Sequence, residues 1–144
     1  MKTLNMRWLI AAAALAVAVG SASAQTSRYR AEIPLSFRAG NNMMLPGSYE
    51  IDLSPTAGGG TVARVTNLDT HRSAQVFADR DSDTSASLKK AEKAGMSFEC
   101  GGGQCQLTRL WGGANHDDFR FMAPKHPHNE AQTASLNVEL TKAE

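Results

Sequence analysis

Apolar and polar positions alternate along most of the chain with a period of two. In "RYRAEIPLSFR", residues 28–38, Tyr29, Ala31, Ile33, Leu35 and Phe37 share one side, and Arg28, Arg30, Glu32, Ser36 and Arg38 share the other. That is the pattern of a half-buried strand. Pro34 cannot donate to a ladder, so it predicts an edge strand or a bulge there. "AGNN" reads as a turn. In "MMLPGSYEIDL", residues 43–53, Pro46-Gly47 reads as a tight turn that sends Tyr49, Ile51 and Leu53 inward.

Further strands are expected at "TVARVTN", "HRSAQVFAD", "GMSFE", "QLTRLW", "FRFM" and "ASLNVELT". In "HRSAQVFAD", Ala74, Val76 and Ala78 oppose a face carrying Phe77, so alternation does not decide which side is buried. In the last strand Leu136, Val138 and Leu140 alternate with Asn137 and Glu139. Between these runs, "DRDSDTSASLKKAEKAG" allows one short helix from Ser87 through Ala94, stopped by Gly95. About eight strands at spacings near ten residues indicate an all-β, antiparallel meander. Such a meander can close into a small barrel; a two-sheet sandwich is the alternative. The expected core is Ile33, Leu35, Phe37, Tyr49, Ile51, Leu53, Val65, Leu107, Leu110, Leu136, Val138 and Leu140.

The first 24 residues break this pattern. Lys2 and Arg7 precede an apolar run from Trp8 to Val19, and the small-residue box Ala22-Ser23-Ala24 follows. This is the layout of a secretory signal peptide. The run is too short for a spanning helix, which needs about twenty apolar residues. Residues 1–24 therefore read as a signal peptide and 25–144 as a single exported β domain, periplasmic or extracellular, with no membrane span after cleavage. Losing Lys2 and Arg7 leaves 13 basic residues against 14 acidic ones. No basic surplus remains to hold a nucleic-acid backbone.

Export changes the meaning of the two cysteines. Cys100 and Cys105 flank "GGGQ" between strand-like runs. A glycine-rich four-residue loop in a hairpin would bring them opposite each other, within disulfide reach. In an oxidising compartment such a pair closes. The closed loop is small, so the bond stabilises by only about 2 kcal/mol. A zinc centre would need more ligands at suitable spacing, and a redox motif would read C-x-x-C.

"FRAGNNMMLPGSYEI", residues 37–51, resembles an uncharacterised family of small exported bacterial β proteins. Its members carry a phenylalanine in the first strand, then a leucine-proline-(small)-glycine-x-tyrosine segment. Here those positions are Phe37, Leu45, Pro46, Gly47 and Tyr49, with one residue fewer between proline and glycine. Trp111, after the later hairpin, is similar too. The resemblance implies the β fold and no activity, cofactor or catalytic residue.

Two clusters could carry chemistry. Asp79, Asp81 and Asp83 mimic the start of a calcium loop, but Thr84 and Lys90 stand where the loop needs glycine and a bidentate glutamate. A solvated acidic loop is the expected reading. His116, His126 and His128 could supply a three-histidine metal site, but they lie in polar, loop-like stretches. No serine sits in a nucleophile elbow, and "AGGGT" lacks the lysine of a phosphate loop. Trp111 reads as packing rather than a stacking platform. The expectation is a non-catalytic binding or cell-envelope module of unknown partner, without cofactor. The alternatives are a metal-binding protein or metal-dependent enzyme using the loop histidines, and a carrier of a small apolar ligand.

Overall fold

The structure, a computed structural model, describes residues 26–80, 93–113, 117–122 and 134–143. Eleven strands form one sheet, and no helix occurs among the described residues. They are β1 (Ser27–Ile33), β2 (Phe37–Ala39), β3 (Asn42–Met44), β4 (Gly47–Pro55), β5 (Thr61–Asn67), β6 (Ser73–Arg80), β7 (Gly95–Gly101), β8 (Gln104–Trp111), β9 (Asp118–Phe121), β10 (Ala134–Glu139) and β11 (Thr141–Lys142). The proposed signal peptide and most of the helix expected from Ser87 lie outside the described residues.

The expected antiparallel all-β class is present. The strand count rises from eight to eleven because three expected strands are each split. Pro34 ends β1, and the chain bends before β2. Neither an edge strand nor a bulge is needed to accommodate it; the strand breaks. The Leu45-Pro46 step separates β3 from β4, and Leu140 separates β10 from β11.

The ladder runs β10-β7-β8-β9-β6-β5-β4-β1-β11. It is not closed into a barrel, which corrects the first choice of architecture. The two ends of the path are consecutive pieces of the C-terminal segment. β10 bonds β7, and after Leu140 the chain changes partner and β11 bonds β1. All these pairs are antiparallel; the exception lies off the path, where β2 runs parallel to β8 with Phe37 beside Cys105.

The core follows the alternation where a strand has neighbours on both sides. On β4, Tyr49, Ile51 and Leu53 are buried while Ser48, Glu50 and Asp52 face outward. The outward face is charged: Arg28 Nε lies 2.7 Å from Asp52 Oδ1, and Arg30 Nη2 3.3 Å from Glu50 Oε2. The Asp52 hydrogen bond and charge hold the Arg28 guanidinium above its ordinary pKa. Ile33, Phe37, Val65, Leu107, Leu110 and Leu140 are buried as expected. Leu136 is not: it is 38% exposed, and Leu35 and Val138 are only partly buried. β10 pairs only with β7, so its apolar side reaches the core only toward Leu140. The ambiguous strand β6 buries Ala74, Val76 and Ala78 and leaves Phe77 72% exposed.

The chain's two tyrosines, Tyr29 and Tyr49, are both buried. Burial pushes both phenols above the ordinary tyrosine value. The folded state thus favours the neutral phenol more than the unfolded state does. This stability is fully present below the unfolded value, near 10, and is lost as pH rises through the raised folded values. Phenolate absorbance should appear at higher pH in the folded protein than in denaturant, with unfolding at the alkaline end. Coincident titration curves would contradict the burial.

Candidate functional site

The hairpin β7–β8 organises the most developed surface feature. Cys100 and Cys105 are directly paired across it and joined in a disulfide. Gly101 pairs with Gln104, so the turn is the two residues Gly102-Gly103, both in the left-handed region. The expected four-residue loop is therefore tighter than the sequence suggested. Replacing both cysteines with serine should cost about 2 kcal/mol and leave the fold intact. Urea unfolding of the two forms checks this; collapse of the fold would give the bond a larger role than its short loop allows.

Further along the hairpin the register shifts. Phe98 opposes Leu107, yet Ser97 opposes Arg109, so Thr108 is an extra residue in β8. A bulge of this kind re-aims the side chains after it. Regular alternation would put residue 109 on the same face as Leu107, in the core. The bulge instead sends Leu110 to the core and leaves Arg109 only partly buried. Thr108 Oγ1 donates to the Ser97 carbonyl at 3.2 Å, tying the bulge to β7.

The result is a groove of about 650 Å³ across β7, β8, β9 and β10. A row of residues crosses it by direct strand pairing: Arg120 on β9, Arg109 on β8, Ser97 on β7 and Asn137 on β10. Ser97 Oγ donates to Asn137 Oδ1 at 2.9 Å and lies 3.4 Å from Ser135 Oγ. Glu99, Thr108 and Trp111 complete the polar part of the lining, and the exposed Met122 adds apolar surface above the buried core residue Phe121. Asp79 pairs with Arg120 from the β6 side, and the buried Asp118 pairs with Trp111; neither belongs to the lining.

Trp111 lies nearly flush with this face. It is 8% exposed and its indole nitrogen donates to the Lys93 carbonyl at 2.9 Å. Its ring occupies the space where a side chain on Gly95, its cross-strand partner, would stand. Packing is therefore its role, as expected. A second pocket, about 150 Å³ between Tyr29, Leu53, Thr61 and Phe119, is bordered by the ion pair of Arg80 and Asp117 at 3.2 Å.

Of the six metal candidates read from the sequence, only Asp79 is among the described residues. His116, His126, His128, Asp81 and Asp83 lie outside the described residues, and Asp79 is exposed on β6. Among the described residues no three histidines, cysteines or acids converge as metal ligands, and no helix is long and apolar enough to cross a membrane. The arginine pair went unread in the sequence. Its signal was a cation within each of two apolar strands, in "LTRLW" and "FRF". Compared with family models, curated proteins and solved structures, the chain matches none.

Proposed function

We propose that this is an exported, non-catalytic binding module, periplasmic or extracellular, whose ligand sits in the groove across β7–β10. The disulfide-bonded β domain fits an exported protein. The carrying observation is the groove itself. Its volume of about 650 Å³ falls in the range of small-molecule sites, roughly 300–1,000 Å³. Its donors and acceptors stand on paired strands rather than loops, which is where a site holds its geometry. The interior offers a carried ligand less: the core is filled by side chains such as Phe37, Tyr49 and Phe98, and the end pocket is about 150 Å³.

A fragment screen followed by amide chemical shifts tests this reading. Binding fragments should move Ser97, Thr108, Arg109 and Asn137 together. Saturable binders that move only Ser27, Tyr29 and Thr61 would relocate the site to the end pocket and sink the reading. One equivalent of tightly held zinc, lost in His126→Ala, would replace it with the metalloprotein alternative.

A further inference from the structure

We propose that the open edge of β10 docks an extended segment of a partner protein, which adds a strand to the sheet through backbone hydrogen bonds. β10 ends the ladder. It pairs with β7 over six residues, and among the described residues no strand pairs with its other edge. Two hydrogen bonds fix which groups that edge presents. The Leu140 amide donates to the Ala94 carbonyl at 2.9 Å, on the β7 side. In an antiparallel strand, alternate residues turn their N–H and C=O to the same side. Ala134, Leu136 and Val138 therefore face β7, and Ser135, Asn137 and Glu139 face away from it. Further along that second edge the Ala143 amide donates to the Arg28 carbonyl at 3.0 Å, and Thr141 pairs with Arg30. So β1 already engages one end of the edge. Its pairing stops at Thr141, and β1 itself ends at Ile33, before Pro34. Ser135 and Asn137 lie beyond, their N–H and C=O groups without a partner strand among the described residues.

Such an edge is a template for another strand, and native edges are blunted by shortness, lysine, proline or a bulge. β3 and β11 follow that rule: β3 is three residues long, and β11 is two residues long and carries Lys142. β10 has six residues, with no lysine, no proline and no register shift. Its one charge, Glu139, is held by Lys93 at 2.9 Å. Between the two open residues, Leu136 is 38% exposed. The occupant that fits is a neutral, extended segment, antiparallel to β10 on the track that β1 leaves. It carries polar residues against Ser135 and Asn137 and an apolar one against Leu136, as strand addition requires. A second copy of this chain fits less well. Antiparallel self-pairing centred on Asn137 would engage Ser135, Asn137 and Glu139 together. It would also drive the chain preceding Ala134 of the copy onto Thr141, where Arg30 already pairs.

The test begins with hydrogen exchange of the free, oxidised protein. The Ser135 and Asn137 amides should exchange at least about tenfold faster than those of Leu136 and Val138. Equal protection of all four would mean that the edge is already covered, and would overturn the proposal. Protection of Ser135 and Asn137 that grows with protein concentration would assign the edge to a second copy and overturn it too. The probe is then acetyl-Thr-Val-Thr-Val-Thr-amide. It should saturably shift and protect Ser135 and Asn137, while Thr108 and Arg109, in the groove but away from the edge, stay still. N-methylating its threonines, whose N–H groups face β10, should weaken binding at least about tenfold, the scale of two lost hydrogen bonds. N-methylating its valines, whose N–H groups face away, should not. Lysines in place of the valines should weaken binding by a similar factor. Equal binding by the two methylated peptides would reveal apolar adhesion in place of strand addition and overturn the proposal. Edge amides that stay silent to the unmethylated peptide would overturn it as well, and neither result touches the groove, which the fragment screen decides.

Discussion

Phe37→Ala is expected to lower the unfolding free energy by roughly 3–5 kcal/mol, the range for emptying a large aromatic site in a packed core. Phe37 is fully buried. Its ring meets Tyr49 and Phe98 edge-on, with centroids 5.3 and 5.1 Å away. These partners come from β4 and β7, and the Phe37 backbone itself pairs with β8. One side chain therefore ties together strands that the hydrogen-bonded path places far apart. Removing it leaves a cavity whose walls belong to several strands, and such walls relax poorly. Denaturant unfolding of the oxidised protein measures the loss. A change below about 1 kcal/mol, closer to that of a surface site, would show that Phe37 is not central.

Gly47→Ala is expected to cost about 2–4 kcal/mol, although it adds only a methyl group. Gly47 opens β4 at φ +148°, a region that side chains avoid, and strain there costs about 1–3 kcal/mol. A Cβ would stand 2.5 Å from Asp69 Oδ2. That oxygen accepts the Ser48 amide at 3.1 Å, a bond worth about 1 kcal/mol. The Asp69 turn is itself built on Asn67, whose Oδ1 accepts the amides of Asp69 and Thr70 at 2.9 and 2.8 Å. Nearby, the Tyr49 hydroxyl donates to the Leu45 carbonyl. Leu45, Pro46, Gly47 and Tyr49 therefore form a clasp between the start of β4 and the β5–β6 turn. Asp69→Ala removes the contact and the hydrogen bond, so adding it to Gly47→Ala should cost less than the two single losses together. Full additivity in that double-mutant cycle would break the explanation.

This clasp gives the segment from Leu45 to Tyr49 a structural role. Its positions are explained by turn geometry and one buried phenol, so the segment speaks for the fold and is silent about ligands. The candidate site was less legible. Attention to histidines and aspartates follows from their chemistry, but chemistry at unknown positions does not say what converges. The arginines were visible as cations inside apolar strands, yet plain alternation sends Arg109 to the core side with Leu107, where it makes no site.

The sequence by itself determined the all-β class, the inward faces of β1, β4 and β5 and the pairing of Cys100 with Cys105. Each of these is a local property: alternation on a strand with a covered face, or two residues across a short turn. Tertiary structure alone decided the rest. β6 turns Val76 inward into the core and leaves the larger Phe77 outside. Leu136 alternates correctly but lies where β10 has only one neighbour. The C-terminal segment changes partner at Leu140, so its two pieces lie at opposite ends of the ladder. The extra residue at Thr108 reverses the faces of everything after it on β8. Neighbours, strand ends and register shifts are set by pairing between segments distant in the chain, and a period of two carries no information about which distant strand is met, or at which residue.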